Sequence, residues 1–406
     1  MKKLIAILLV SIVMLSTGRL EAETPRPAWV QNPPRNTANM VYFLGMSDRA
    51  ANYVNFLEAK AGALADALFQ FSAYKGLEAE YILEEYIDDS GELMAAESIL
   101  LLTSVNESLT LYQQAEWMDR DGTLYVLYNY APGGRINPRP DLSDAFERVT
   151  FSNDRIYFTA LAVSPQNNAE LARQAEQNAR MQALLWLGAD IYMEFEEELY
   201  SEDSGYYETL FYGGVGGVSR VNLPALSFRE ESRRIIRGQD NRFYFYGIYS
   251  ISNAIPSYTS EFEFFEYFIG YENSSDSSEY FEKYIDFNGI TSEHNTPYAP
   301  RPVTGVVQPG VPESVRNLLI NSPDNVLLGL SSAENTSIET QRLMAGTRAI
   351  IEISQVINST VSSTIYDDDN LTEIVIISST FLSGLEKTLD VLAQDNTTWQ
   401  VWTMGH

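Results

Sequence analysis

The sequence predicts an α+β fold of three related strand–helix–strand–β-hairpin units, each a helix packed on a small, mainly antiparallel sheet. Three observations carry this expectation. An apolar strand followed by a long helical pattern begins near Val41, near Ile156 and near Val326. Each stretch closes on a turn dipeptide, Asp121-Gly122, Asp240-Asn241 or Asp395-Asn396. Four residues beyond each Asp stands a ring: Tyr125, Tyr244 and Trp399. The units are placed at residues 23–135, 136–252 and 313–406.

In the first unit, Val41-Tyr42-Phe43-Leu44-Gly45 reads as a strand. Ala50, Val54, Leu57, Ala61, Leu64, Leu68 and Phe71 then recur at steps of four and three, the stripe of a helix with one buried face. Beside it, Ala59, Ala63 and Ala67 let the helix backbone approach a sheet closely. Residues 77–83 switch to period two and predict a half-buried strand. In the second unit Ile156 opens the strand, Ala175, Ala179 and Ala183 form the small row, and residues 191–195 supply the strand after the helix. The third unit has a strand from Val326 and a helix over 338–357, with Leu343, Thr347 and Ile351 in the places of the alanines.

Gly, Asn and Asp tolerate the positive φ of tight hairpin turns, so the three dipeptides predict equivalent turns. The rings after them are expected to point alike in all units, towards the helix, because an indole buries a large apolar area. The first and third units also share a prelude, Pro27-Ala28-Trp29-Val30 against Pro312-Glu313-Ser314-Val315.

With these features the chain resembles the LPP-twenty family of cell-envelope lipoproteins, whose domain also occurs in periplasmic flagellar proteins. The resemblance rests on the Pro-x-Trp-Val prelude, the strands carrying Gly45 and Gly329, the small-Arg pairs Ala179-Arg180 and Thr347-Arg348, and the hairpin from Trp117 to Leu127. It covers the three units and leaves out residues 252–311. It implies an envelope structural or interaction protein without catalytic activity, and it carries over no functional residue.

Met1-Lys2-Lys3, an uncharged apolar run over 4–15 and a polar stretch ending at Ala22 predict a secretory signal peptide over 1–22. The apolar run is shorter than the roughly 20 residues a membrane span needs. The family's lipid anchor requires a Cys at the cleavage site. Arg19 follows Leu15-Ser16-Thr17-Gly18 here, and the chain has no Cys. An exported, periplasmic or outer-envelope protein without a lipid is therefore expected, and disulfides and thiolate chemistry are excluded. The formal charge is −28, and loss of the leader, with three cations and one acid, makes it −30. Such a surface repels nucleic-acid phosphates and anionic lipids and favours cationic partners.

Residues 131–140, rich in Pro and Gly, read as a linker. Residues 253–312 hold an acidic-aromatic segment, expected as a helix against the neighbouring unit in preference to an adaptable partner-binding segment, and then a Pro-rich tether. The two histidines, His294 in a Glu/Asn/Thr-rich loop and His406 at the last residue, read as solvated bystanders and argue against a His-based triad or a multi-His zinc site. Gly213-Gly214-Val215-Gly216-Gly217 is followed by Val218-Ser219-Arg220-Val221 and Pro224 in place of the Lys and helix of a phosphate loop, and reads as a flexible crossing between strands. Asp367, Asp368 and Asp369 are the candidate oxygen ligands for Ca²⁺, although they lack the Gly and distal Glu of an EF-hand loop. A solvated acidic turn is cheap in water and accounts for them without a metal, so Ca²⁺ is the weaker reading and no cofactor is expected. Glu84-Glu85 and residues 194–198, the latter expected at a solvated strand end, are the carboxylates a glycosidase would need. A calcium-dependent carbohydrate- or surface-binding module and a carboxylate-based exported hydrolase are thus the alternative functions.

Overall fold

Antiparallel strands dominate the architecture, and helices are set against them. A computed structural model describes residues 26–47, 56–88, 93–104, 107–119, 121–135, 149, 151–219, 228–238, 240–253, 262–274, 278–287, 291–292, 312–322, 326–333, 336–366 and 371–405. The chain opens with α1 (Ala28–Gln31), β1 (Val41–Met46), α2 (Phe56–Lys75), β2 (Leu77–Ile87), β3 (Leu93–Ser104), β4 (Glu107–Leu109), β5 (Tyr112–Met118) and β6 (Leu124–Tyr130). It continues through β7 (Arg155–Ser164), α3 (Ala169–Leu187), β8 (Ala189–Glu202), β9 (Tyr207–Ser219), β10 (Arg229–Arg237) and β11 (Phe243–Ser252). Next come β12 (Phe262–Ser274), β13 (Ser278–Phe287) and β14 (Thr291–Ser292). The last stretch holds α4 (Glu313–Asn321), β15 (Val326–Ala333), α5 (Ile338–Ile357), β16 (Thr360–Tyr366), β17 (Leu371–Leu382), β18 (Leu385–Leu392) and β19 (Thr398–Gly405). The prelude motifs are helix starts. Pro27 and Pro312 stand at the N-caps of α1 and α4, and Val30 and Val315 are buried.

Three small sheets have the orders β1-β6-β5, β7-β11-β10 and β15-β19-β18. Their hairpin turns share one geometry. Gly122, Asn241 and Asn396 all have positive φ, the two asparagines at 64° and 68°. The Asp before each accepts from the backbone two residues on: Thr123 N to Asp121 at 3.0 Å, Arg242 N to Asp240 and Thr397 N to Asp395 at 3.1 Å. Each outer strand, β5, β10 and β18, also carries a β-bulge.

Helices α2, α3 and α5 pack on these sheets in turn. The closest approaches fall where a side chain is missing. A Cβ on Gly45 would overlap the Ala63 carbonyl, and one on Gly329 would overlap that of Ala349. The expected small row therefore holds in α2, whereas in α5 the approach falls on Ala349, two residues beyond Thr347. Helix α2 is buried on every side rather than along one stripe. Its Phe69 ring lies 5.7 Å from Phe195 of β8 and 5.5 Å from Trp402 of β19. One hydrophobic cluster thus runs through all three stretches of chain.

The strands that follow each helix leave the small sheets and share a single ten-stranded sheet, ordered β14-β13-β12-β9-β8-β3-β2-β17-β16, with β4 beside β8. The strand–helix pattern did not predict this sheet, because pairing between distant strands leaves no local period. The acidic-aromatic segment expected as a helix forms β12 and β13 of the same sheet. Its Phe265, Tyr267, Ile269 and Tyr271 alternate inward, the period of a strand. Gly213–Gly217 are likewise no crossing: they lie inside β9, paired to β8 on one side and β12 on the other.

The three rings point alike, but away from their helices. Val126, paired with Gly45, faces α2, so Tyr125 faces outward. Phe245, paired with Ala162, takes the helix side and leaves Tyr244 on the other. Trp402, paired with Gly329, faces α5, while Trp399 packs with Val315 and Val401 against α4. The prelude helix rather than the long helix supplies the apolar surface for the indole, which is why the expected direction is reversed.

Candidate functional site

The ten-stranded sheet has two unlike faces. Its inner face lies on the helices and carries Leu100, Leu102, Phe195, Phe211 and Tyr267. The alternation of strand side chains sends Glu78, Glu80 and Glu84 of β2, Glu97 of β3, and Glu194, Glu196 and Glu198 of β8 to the outer face. Seven adjoining strands, β12, β9, β8, β3, β2, β17 and β16, contain no Lys, Arg or His. Glu84 stands directly opposite Glu97, an arrangement of like charges that costs stability in a sheet. Partial burial, with Glu196 and Glu97 close by, raises the Glu198 carboxyl above its ordinary pKa.

Among these carboxylates the glycines of β9 open a groove of about 270 Å³. Gly214 forms part of its lining, rings of Tyr192, Tyr212 and Phe268 wall it, and Glu194, Glu196 and Glu266 reach it. A Cβ on Gly216 would strike the Tyr192 ring, so the missing side chains make room for the aromatic walls. Burial and Glu196 push the Tyr212 hydroxyl to a higher pKa, and it stays protonated as a donor. Carboxylates beside ring faces suit an ammonium or guanidinium group, through charge-assisted hydrogen bonds and cation–π attraction.

Residues 194–198 were expected at a solvated strand end. They lie in the middle of β8, hydrogen-bonded to strands on both sides, and Glu197 is fully buried on the inner face against Arg348. Two further ionic clusters are internal. Lys60 of α2 is buried with Glu116 at 3.1 Å and with Gln113, and burial pushes its pKa down against the pull of Glu116. Lys387 lies 2.8 Å from Asp66 and 3.1 Å from Asp390.

The helices also seal the free edges of the first strands. In α2, Asp66 accepts from Met46 N at 3.0 Å and Gln70 donates to Leu44 O at 2.8 Å. In α3, Asn178 donates to Leu161 O at 3.0 Å and Gln182 to Thr159 O at 2.7 Å. In α5, Arg348 donates to Ser332 O at 2.8 Å and Glu352 accepts from Leu330 N. All three are i, i+4 pairs on the helix face beside the strand edge; those of α2 and α3 are buried, while in α5 Arg348 is partly buried and Glu352 exposed. Sequence reading missed them, although polar residues spaced by four inside an apolar helix are a signal that could have found them.

Asp367, Asp368, Asp369, His294 and His406 lie outside the described residues. Among the described residues no three His, Asp or Glu side chains converge as a metal-binding group. No helix among them is long and apolar enough to cross a membrane. The chain matches no family model, no curated protein and no solved structure.

Proposed function

We propose that this is an exported, non-enzymatic envelope protein, built of three related LPP-twenty-like units, that binds cationic protein partners on the outer face of its shared sheet. The single observation that carries the reading is the groove over Gly214, where three carboxylates and three rings meet on seven adjoining strands that contain no Lys, Arg or His. The unit reading is supported by the common strand order, the three matching Asx turns and the three i, i+4 edge seals.

Capture with the mature protein from its own envelope fraction tests this. Basic proteins that bind the native chain are expected to be lost with the Glu194→Gln, Glu196→Gln, Glu266→Gln triple variant, and retained when three acids elsewhere, Glu58, Glu176 and Glu313, are changed instead. Equal loss in both would reduce the effect to net charge, and no loss in either would remove the face from the function.

A further inference from the structure

A strand at the edge of a sheet presents a row of unpaired N–H and C=O groups, and proteins ordinarily blunt it. This chain does so at edge after edge. Strands β1, β7 and β15 are sealed by helix side chains, as described above. Strands β5, β10 and β18 are bulged and carry charges such as Glu116, Glu231 and Lys387. One end of the ten-stranded sheet tapers to the two-residue β14. The other end is β16, where none of these devices is found among the described residues. Its seven residues, Thr-Val-Ser-Ser-Thr-Ile-Tyr, include no charge, proline or glycine, and four of them are β-branched. Its register with β17 is unbroken from Thr360 to Tyr366. Among the described residues no strand pairs with its outer side.

We propose that the outer edge of β16 is a strand-addition site for an extended, Lys- or Arg-bearing segment of a protein partner. Strand addition takes its affinity from main-chain hydrogen bonds and its selectivity from alternate side chains. All neighbours in the sheet are antiparallel, so an incoming antiparallel strand continues the ladder over roughly 23 Å at about 3.3 Å per residue. The charge on the sheet decides the occupant. The seven strands at this end of the sheet hold no cation, and a second copy of the chain would bring the same −28 against them. A basic strand meets complementary charge instead. This inference rests on the basic-partner reading given under Proposed function, and adds to the groove on β8, β9 and β12 a second place of contact, at the sheet edge, with its mode of binding.

The test uses the full chain and three synthetic probes measured by calorimetry at two salt concentrations. They are an alternating Lys-Val decapeptide, a peptoid with the same side chains and no N–H, and an uncharged Thr-Val decapeptide. The Lys-Val peptide is expected to bind and to weaken with salt, the peptoid to bind at least about tenfold more weakly, and the Thr-Val peptide to bind weakly and without salt dependence. Ser362→Pro and Ser363→Pro provide the protein-side arm. Neighbouring N–H groups of a strand point to opposite sides, so one of these variants breaks the β17 ladder and the other removes an outward donor alone. The second is expected to keep the native melting temperature and lose the Lys-Val peptide about tenfold. Equal binding of peptide and peptoid sinks the edge site and leaves the basic-partner reading standing. Equal binding of the charged and uncharged peptides overturns the stated occupant together with that reading. No binding of any probe, unaltered binding in both proline variants, or a doubled mass by light scattering without peptide also overturns the proposal.

Discussion

Arg348 and Glu197, 151 residues apart, lock α5 to the inner face of the shared sheet. The guanidinium Nε lies 2.9 Å from one carboxylate oxygen and 3.1 Å from the other, while Nη1 donates to Ser332 O at 2.8 Å. Glu197 is fully buried, so removing its partner strands a charge in the core. Arg348→Ala is expected to lower the unfolding free energy by about 3–5 kcal/mol, measured in urea. Combining Arg348→Met with Glu197→Leu should recover most of that loss, because an apolar pair leaves no charge to desolvate.

The edge seals make a second prediction. Gln70→Ala leaves Leu44 O without its donor, and Asn178→Ala does the same to Leu161 O. Each buried polar group left unpaired costs about 1–3 kcal/mol. Both variants should unfold at lower urea than the wild type with the same m-value; unchanged midpoints would show that the seals contribute nothing.

Close helix–strand contact is tested at the glycines. Gly45→Ala and Gly329→Ala force a methyl into the carbonyls of Ala63 and Ala349. Overpacking of this kind costs about 1–3 kcal/mol. Ala63→Leu and Ala179→Leu, at fully buried positions, should fall in the same range by thermal or chemical denaturation.

The turns separate conformation from contact. Asn241 and Asn396 hold positive φ, which costs an ordinary L-residue about 1–2 kcal/mol and glycine almost nothing. Asn396→Gly should match or exceed wild-type stability, and Asn396→Ala should fall below it. The same order is expected at Asn241.

The Lys387 cluster sets two limbs of the pH profile. Burial disfavours both charges, yet Asp66 and Asp390 hold Lys387 above its ordinary 10.5, and Lys387 and Arg342 hold Asp390 below 3.8. The Asp390 contribution is therefore complete above pH 3.8 and lost as pH falls through its lowered value. The Lys387 contribution is complete below pH 10.5 and lost as pH rises through its raised value. Asp390→Asn should flatten the acid limb of stability against pH, and Lys387→Met the alkaline limb; unchanged slopes would place the linkage elsewhere.

What the sequence by itself determined is local. The helix over 338–357, the Asx turns at Asp121, Asp240 and Asp395, and the proline-led preludes follow from backbone preferences that act within a few residues. Tertiary structure decided the rest. Trp399 turns from its own helix because α4 lies on the other side, and Gly213–Gly217 form a strand because Tyr192 and Phe264 fill the space their missing side chains leave. Glu197 is an internal ligand for Arg348 while Glu196 and Glu198 face outward, a division invisible in a run of glutamates. The hairpins of distant stretches share one sheet because backbone groups on a strand edge find partners wherever packing brings an edge. That choice is made by burial across the whole chain and leaves no period in any one segment of it.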